Sequence, residues 1–367
     1  MERRKFLKAA AGGSAALALA SCNNSDSKEK SSAVKSTKKF KWRCQMLVSK
    51  TLPIWSDGII QLAKRIKTLS DGRLDIKVYG GGEIVGAMEV FDAVKQGNLE
   101  MGHAASYFWG GKAPGAEFFT SIPFGVNANG MYTWITQGGG LKLWEELYKP
   151  HKLVPIPCGA TGVQMGGWFN KEINSIADLK GLKMRMPGLG GSVITKAGAS
   201  AERTPPGEIY TALSTGRLDA TEWVGPYHDM IMKFHKVTKF YYIGGWHEPG
   251  SILELLINED AWNSLPEDLQ LIVRICAADT HQWIFSKWLY EDAKAYQDVK
   301  KLKNITVKEF PMDVIKELKK ISKDVIGELA RKNDMTKKIF KSYTEFEKVY
   351  DEYLDISERA YTKGLKA

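Results

Sequence analysis

From residue 40 onward, short stretches of two different periods alternate along the chain. "KWRCQMLVS" reads as a first strand. "IWSDGIIQLAKRIKTLS" carries Ile59, Ile60, Leu62, Ala63 and Ile66 at helical spacing, and "DGRLDIKVYGGG" reads as a turn, a strand and a glycine stop. Strand-helix-strand order predicts α/β layers with a largely parallel sheet. In "LKGLKMRMPG", Leu182, Met184 and Met186 alternate with Lys183 and Arg185 until Pro187-Gly188 stops the run. That pattern predicts a strand with one apolar face, and leaves Arg185 on its polar face at its end.

The helix-strand pattern recurs. "EVFDAVKQGNLEMGH" (Glu89 to His103) aligns without gaps on "EIYTALSTGRLDATE" (Glu208 to Glu222), with Gly97 on Gly216 and Leu99 on Leu218. Each copy predicts a short helix, a glycine at its C-cap and a strand. Two similar α/β lobes follow, with "HAASYFWGG" and "EWVGPYHD" facing one another across a cleft. Ligands of open α/β sheets bind beyond the carboxyl ends of the strands. "GLGGS" (188–192) follows no dinucleotide-binding pattern and reads as a loop. Further on, Ser264 to Glu267 has the S-x-x-E form of a capping box. It opens a helical pattern running to about Leu302, with Leu269, Ile272, Val273, Ile275, Ile284 and Trp288 apolar. At 1.5 Å per residue the helix would be roughly 55 Å long and could brace both lobes. Two more helical patterns, Met312 to Lys332 and Tyr343 to Lys363, complete the chain.

The amino terminus changes the compartment. "RRKFLK" precedes the short apolar run Ala9 to Leu19, the order of an export signal, and its paired arginines are similar to a twin-arginine signal. "LASC" resembles a bacterial lipobox, which makes Cys22 the lipidated mature N-terminus. The polar stretch after it, to residue 40, reads as a tether. The net charge of +10 shrinks accordingly: signal and tether each hold +3, leaving about +4 for the folded part. Such a balance excludes a nucleic-acid footprint and suits a small anionic ligand. Cys44, Cys158 and Cys276 follow no metal spacing; one pair could bond, or all three are buried thiols.

Three segments carry a family resemblance: "SYFWGGKAPGAEFFTSIPFG", "GWFNKEINSIADLKGLKMRMPG" and "YTALSTGRLDATEW". Over essentially all of its mature length the chain resembles the solute-binding subunit of TRAP (tripartite ATP-independent periplasmic) transporters. "GVQMGGWFN" and "TEWVGPYHD" are similar to the branch that binds 2-oxo and 2-hydroxy monocarboxylates with a metal ion. The resemblance implies a two-lobed α/β fold of the periplasmic-binding-protein kind, with a ligand cleft, a long bracing helix and C-terminal helices. It implies a signal over 1–21 and a lipidated tether over 22–40. One lobe spans 41–163, completed by part of 258–305, and the other spans 164–257. The long helix covers 264–302 and the C-terminal helices 303–367, the latter offering a homodimer contact.

Arg185 is then the carboxylate anchor, for which a guanidinium fork offers two parallel charge-assisted bonds. Gln164 would touch both metal and substrate. Glu222 would be the metal's carboxylate, with the backbone oxygen of Trp223 beside it. Trp223, Tyr107 and Trp109 would wall the ligand, and His247 lies where the branch places a polar contact. Oxygen ligation suits sodium or calcium. Glu222 and a monocarboxylate against Arg185 leave one negative charge, which favours sodium. The implied partners are an organic acid anion and the two membrane subunits, in the periplasm. A dicarboxylate binder without metal, a ligand-sensing lipoprotein and an exported metal-dependent enzyme are the other readings. The enzyme lacks support: there is no G-x-S-x-G, H-E-x-x-H or Walker loop, and no Cys/His cluster.

Overall fold

The computed structural model describes residues 37–365. The signal-like segment, Cys22 and most of the tether lie outside them. The described strands are β1 (Phe40–Met46), β2 (Leu74–Tyr79), β3 (Met101–Ala104), β4 (Leu153–Ala160), β5 (Gly167–Phe169), β6 (Lys183–Arg185), β7 (Ser200–Glu202), β8 (Ala220–Thr221), β9 (Phe240–Ile243), β10 (Ile252–Asn258) and β11 (Thr306–Glu309). They form two sheets, ordered β2-β1-β3-β10-β4 and β11-β9-β5-β8-β6-β7. The expected two-lobed α/β architecture is therefore present.

The sheets are mixed rather than largely parallel. β1 runs parallel to β2 and β3, but β10 is antiparallel to both β3 and β4. In the second sheet β5 is antiparallel to β8 and β9. The cause is connectivity: β5 and β10 are the strands on which the chain arrives from the other lobe. The return to the first sheet comes at Ile252, earlier than the residue 258 expected from sequence. β11 adds a late strand to the second sheet that the sequence pattern did not suggest.

The internal echo is structural. The helices Val90–Lys95 and Ile209–Ser214 each end in a left-handed glycine, Gly97 (φ 75°) and Gly216 (φ 72°), and lead into β3 and β8. The long helix spans Glu267–Val299, 33 residues or about 50 Å. It packs on β4 and the helix Trp55–Leu69 in one lobe, and on the helix Pro226–Ile231 in the other. It does not start at a Ser264 box. Ser264 closes a preceding short helix, its hydroxyl donating to Ala261 O at 2.7 Å. Pro266 holds Leu265 extended and takes the N-cap position itself. The helix expected from Tyr343 begins earlier, at Asp334, because Asn333 caps it by accepting from Thr336 N.

Tryptophan fills the first lobe's core. Phe119 stacks between Trp134 and Trp144, with centroids at 5.3 and 4.9 Å. Cys44, Cys158 and Cys276 are buried free thiols. One buried carboxyl stands out. Glu254 of β10 accepts from Trp109 Nε1 at 2.8 Å and Tyr148 OH at 3.1 Å, while its Oε2 has no partner. Burial pushes this carboxyl up from 4.5 to about 8. The folded protein thus keeps a proton that the unfolded chain releases, so stability falls as pH rises from 4.5 towards 8. Glu254→Gln keeps an acceptor for both donors and removes the charge. We expect it to raise the melting temperature in mildly alkaline buffer and to flatten the decline from acid to alkaline. Thermal unfolding by circular dichroism at both ends of that window measures this. An unaltered slope would assign the decline to other groups.

Candidate functional site

Two chain segments cross between the lobes, residues 161–166 and 244–251, and they run side by side. Thr161 N donates to Ser251 O (3.0 Å), Gln164 N to Glu248 O (3.1 Å) and Gly245 N to Gln164 O (2.8 Å). A Cβ on Gly245 would lie 2.4 Å from that Gln164 oxygen, so the close approach requires glycine. Gln164, His247, Glu248 and Ser251 therefore sit on the paired crossovers themselves.

β6 and β8 deliver the charged residues to the same place. Arg185 ends β6 in register with Thr221 of β8, and Glu222 follows. Arg185 Nη1 donates to Glu222 O at 3.2 Å and forms an ion pair with Glu222 Oε1. Both side chains are buried, at 2% and 1% exposure. The polar face read from sequence is thus solvent-exposed at Lys183 and interior only at its Arg185 end. The guanidinium carbon also lies 5.1 Å from the centre of the Trp223 ring. Arg185 Nε has no hydrogen-bond partner among the described residues.

Gln164 is held by its nitrogen. Nε2 donates to Glu248 Oε2 at 2.7 Å and to Ser251 Oγ at 3.2 Å. Its Oε1 is buried and unpaired, an orphaned acceptor beside two carboxylates. His247 Nε2 lies 3.5 Å from Glu222 Oε2, and neither ring nitrogen makes a hydrogen bond. Candidate ligand atoms of Glu222, His247 and Glu248 all fall within 4.8 Å of one another. Burial, and then the charge of Glu222, pushes the Glu248 carboxyl up to about 7. The donor set of carboxylates and an amide oxygen fits a hard cation.

Beside these groups lies a small, partly open cavity of about 20 Å³. Thr161, Gln164, Arg185 and Ser251 form its polar wall; Leu47, Trp55, Phe108 and Leu253 are apolar. Trp223 and Tyr107 line it as well. The Tyr107 phenol is raised above its usual range by burial and by the charges of Glu248 and Glu222.

Trp109 does not line the cavity. It points into the first lobe's core, donates to Glu254 and packs on Phe91 and Phe108. It lies in the tight turn Ser106–Trp109, where successive side chains rotate by about a third of a circle. Tyr107 and Phe108 reach the cavity, and Trp109 turns back to the sheet. "GLGGS" is not a loop either: it opens the helix Gly188–Lys196. A Cβ on Gly188 would come 3.2 Å from the Tyr107 ring, and one on Gly190 2.9 Å from His247 Cβ. These glycines let both side chains approach.

Sequence reading missed Glu248, Thr161, Ser251, Leu47, Trp55, Phe108 and Leu253. For Glu248 a signal existed: it adjoins His247 in "GGWHEPG", a short glycine-bounded return segment. Thr161 and Ser251 are brought in by the crossovers, and Leu47, Trp55, Phe108 and Leu253 by the packing of the first lobe's own elements.

The profile of the bacterial extracellular solute-binding protein family 7 matches residues 48–333. The chain belongs to this family. As a family 7 solute-binding protein it is a transport component and not an enzyme. The family 7 protein is 38% identical over 363 residues to a monocarboxylate 2-oxoacid-binding periplasmic protein of Nostoc sp., covering 98% of each chain. Two solved TRAP periplasmic solute-binding proteins share its fold. One, from Pseudoalteromonas atlantica with bound sodium and pyruvate, is 39% identical with a TM-score of 0.87. The other, from Colwellia psychrerythraea with bound calcium and pyruvate, is 39% identical with a TM-score of 0.86. Each alignment covers 89% of this chain and 99% of the other.

Proposed function

We propose that this protein captures a 2-oxo or 2-hydroxy monocarboxylate together with a cation and hands both to the membrane subunits of a TRAP transporter. The observation that supports it most is the meeting of Arg185, Gln164 Oε1 and Glu222 beside one small cavity at the crossovers. Arg185 binds the acid's carboxylate. Gln164 Oε1, Glu222 and the Trp223 carbonyl hold the cation. His247 offers a polar contact. The relatives named above bind 2-oxoacids, in one case with sodium and in another with calcium.

The cation's charge depends on how many carboxylates it faces. With Glu222 alone, an acid anion and Arg185 leave one negative charge, which sodium neutralises. With Glu248 also charged the count is two, which calcium neutralises.

Cys22 would tether the protein to a membrane, and both it and the export signal lie outside the described residues. A homodimer is supported by Val349, Tyr353 and Ile356, exposed on one face of the helix Asp334–Ile356 at i, i+4 and i+7.

The test is calorimetric titration of the mature chain, unfolded and refolded to strip bound ligand. Pyruvate, lactate, a branched 2-oxoacid and succinate are each titrated with sodium, with calcium and with chelator. Tight binding of a monocarboxylate that requires one cation is the expected result. Binding of succinate alone, indifferent to cation, would replace this reading with a metal-free dicarboxylate binder.

A further inference from the structure

Ile54 has φ 63° and ψ −59°, a conformation that β-branched residues rarely adopt. Trp55 N donates to Pro53 O at 2.6 Å, which closes a three-residue γ-turn of the rare, strained form. Such a backbone persists only where its surroundings over-determine it, and it marks functional positions. Here the surroundings come from both lobes. The same Pro53 carbonyl accepts from His228 Nε2 at 2.9 Å, and His228 is fully buried on the helix Pro226–Ile231 of the other lobe. His228 also meets Trp288 of the long helix edge-on, at 4.8 Å.

The turn's purpose is to present Trp55. Its indole Nε1 donates to His103 Nδ1 at 2.7 Å, and His103 Nε2 donates in turn to Cys158 O at 2.8 Å. That chain fixes the His103 tautomer and leaves Trp55 no freedom to rotate. The indole also stands edge-on to Trp288 at 6.0 Å. The indole also lines the cavity beside Leu47, Phe108 and Leu253. These contacts hold the indole against the cavity.

We propose that Trp55 sets the upper size of the carbon tail this protein accepts, and that lobe closure completes its placement through His228 on the Pro53 carbonyl. Trp55 is the specificity-determining residue; His228 and His103 are positioning residues. The inference rests on the organic-acid reading of the site. It extends that reading from the acid's head group to its tail.

The test compares pyruvate with 4-methyl-2-oxopentanoate by calorimetry on the full mature chain, in the cation that supports binding. Trp55→Leu is expected to shift the ratio of the two affinities at least tenfold towards the longer acid. His228→Ala is expected to shift it the same way, by several-fold, and His228→Gln, which keeps a donor, to restore it in part. A purely structural role for either residue would lower both affinities and leave their ratio unmoved. If Trp55→Leu does not fold, Trp55→Phe takes its place, with a smaller shift in the same direction. A ratio unchanged in folded Trp55 variants, with wild type binding pyruvate normally, overturns the size limit and leaves the acid reading intact. Wild type that binds neither acid overturns both.

Discussion

Arg185→Ala is expected to lose nearly all affinity for a monocarboxylate. The guanidinium is buried, and among the described residues no other cationic side chain lines the cavity. Removing one member of a buried charge pair costs about 3 to 5 kcal/mol, which corresponds to a fall of roughly two to three and a half orders of magnitude. Arg185→Lys is expected to recover little, because an ammonium cannot form the two parallel bonds a carboxylate accepts from a guanidinium. The alanine variant also strands Glu222, so its melting temperature should drop. Arg185→Ala/Glu222→Ala should regain stability without regaining binding, which separates the fold from the site. Calorimetry and thermal unfolding read the two effects. Wild-type affinity in a folded Arg185→Ala protein would remove the anchor from the mechanism.

Glu222→Gln acts in two directions at once. The amide keeps the size of the side chain and removes its charge. A cation would lose an anionic ligand, at a cost of about 2 to 5 kcal/mol. Arg185 meanwhile loses the ion partner that occupies it, so it is freer to meet a carboxylate when no cation is present. Affinity with cation should therefore fall, and affinity in chelator should hold or rise. The gap between them closes from both sides. Titrating pyruvate with and without chelator on wild type and variant measures that gap. A gap of unchanged size would exclude Glu222 from the cation site.

Much of this arrangement was legible in the sequence where short-range rules govern it. The alternation around Arg185 gave a strand ending at a proline-glycine stop. The repeated helix-glycine-strand unit placed Glu222 and Tyr107 just past matching strands, in opposite lobes. The helix from Glu267 was readable from its apolar spacing, although its start was not, since a proline two residues past Ser264 governs that turn. What could not be read depends on pairing between distant segments. Glu248 and Ser251 become site residues only because residues 244–251 lie against 161–166. Trp109 and Phe108 exchange roles through the pitch of a single tight turn. The buried setting of Arg185 also escaped the alternation rule, because what covers its side chain is Glu222 and Trp223, which follow a different strand.

The place of β10 bears on how the molecule is made. Ribosomes deliver β1 to β4 first, yet the strand that must lie between β3 and β4 emerges only after the whole stretch from β5 to β9. Until then the nascent first sheet has a gap between β3 and the edge strand β4 and two unsatisfied strand borders, the kind of surface on which chains stick to one another. The later-made lobe can close most of its sheet before the earlier one is finished, and lacks only β11 when it does. Co-translational folding of this chain thus runs against the order of its gene, and the half that begins first is sealed last.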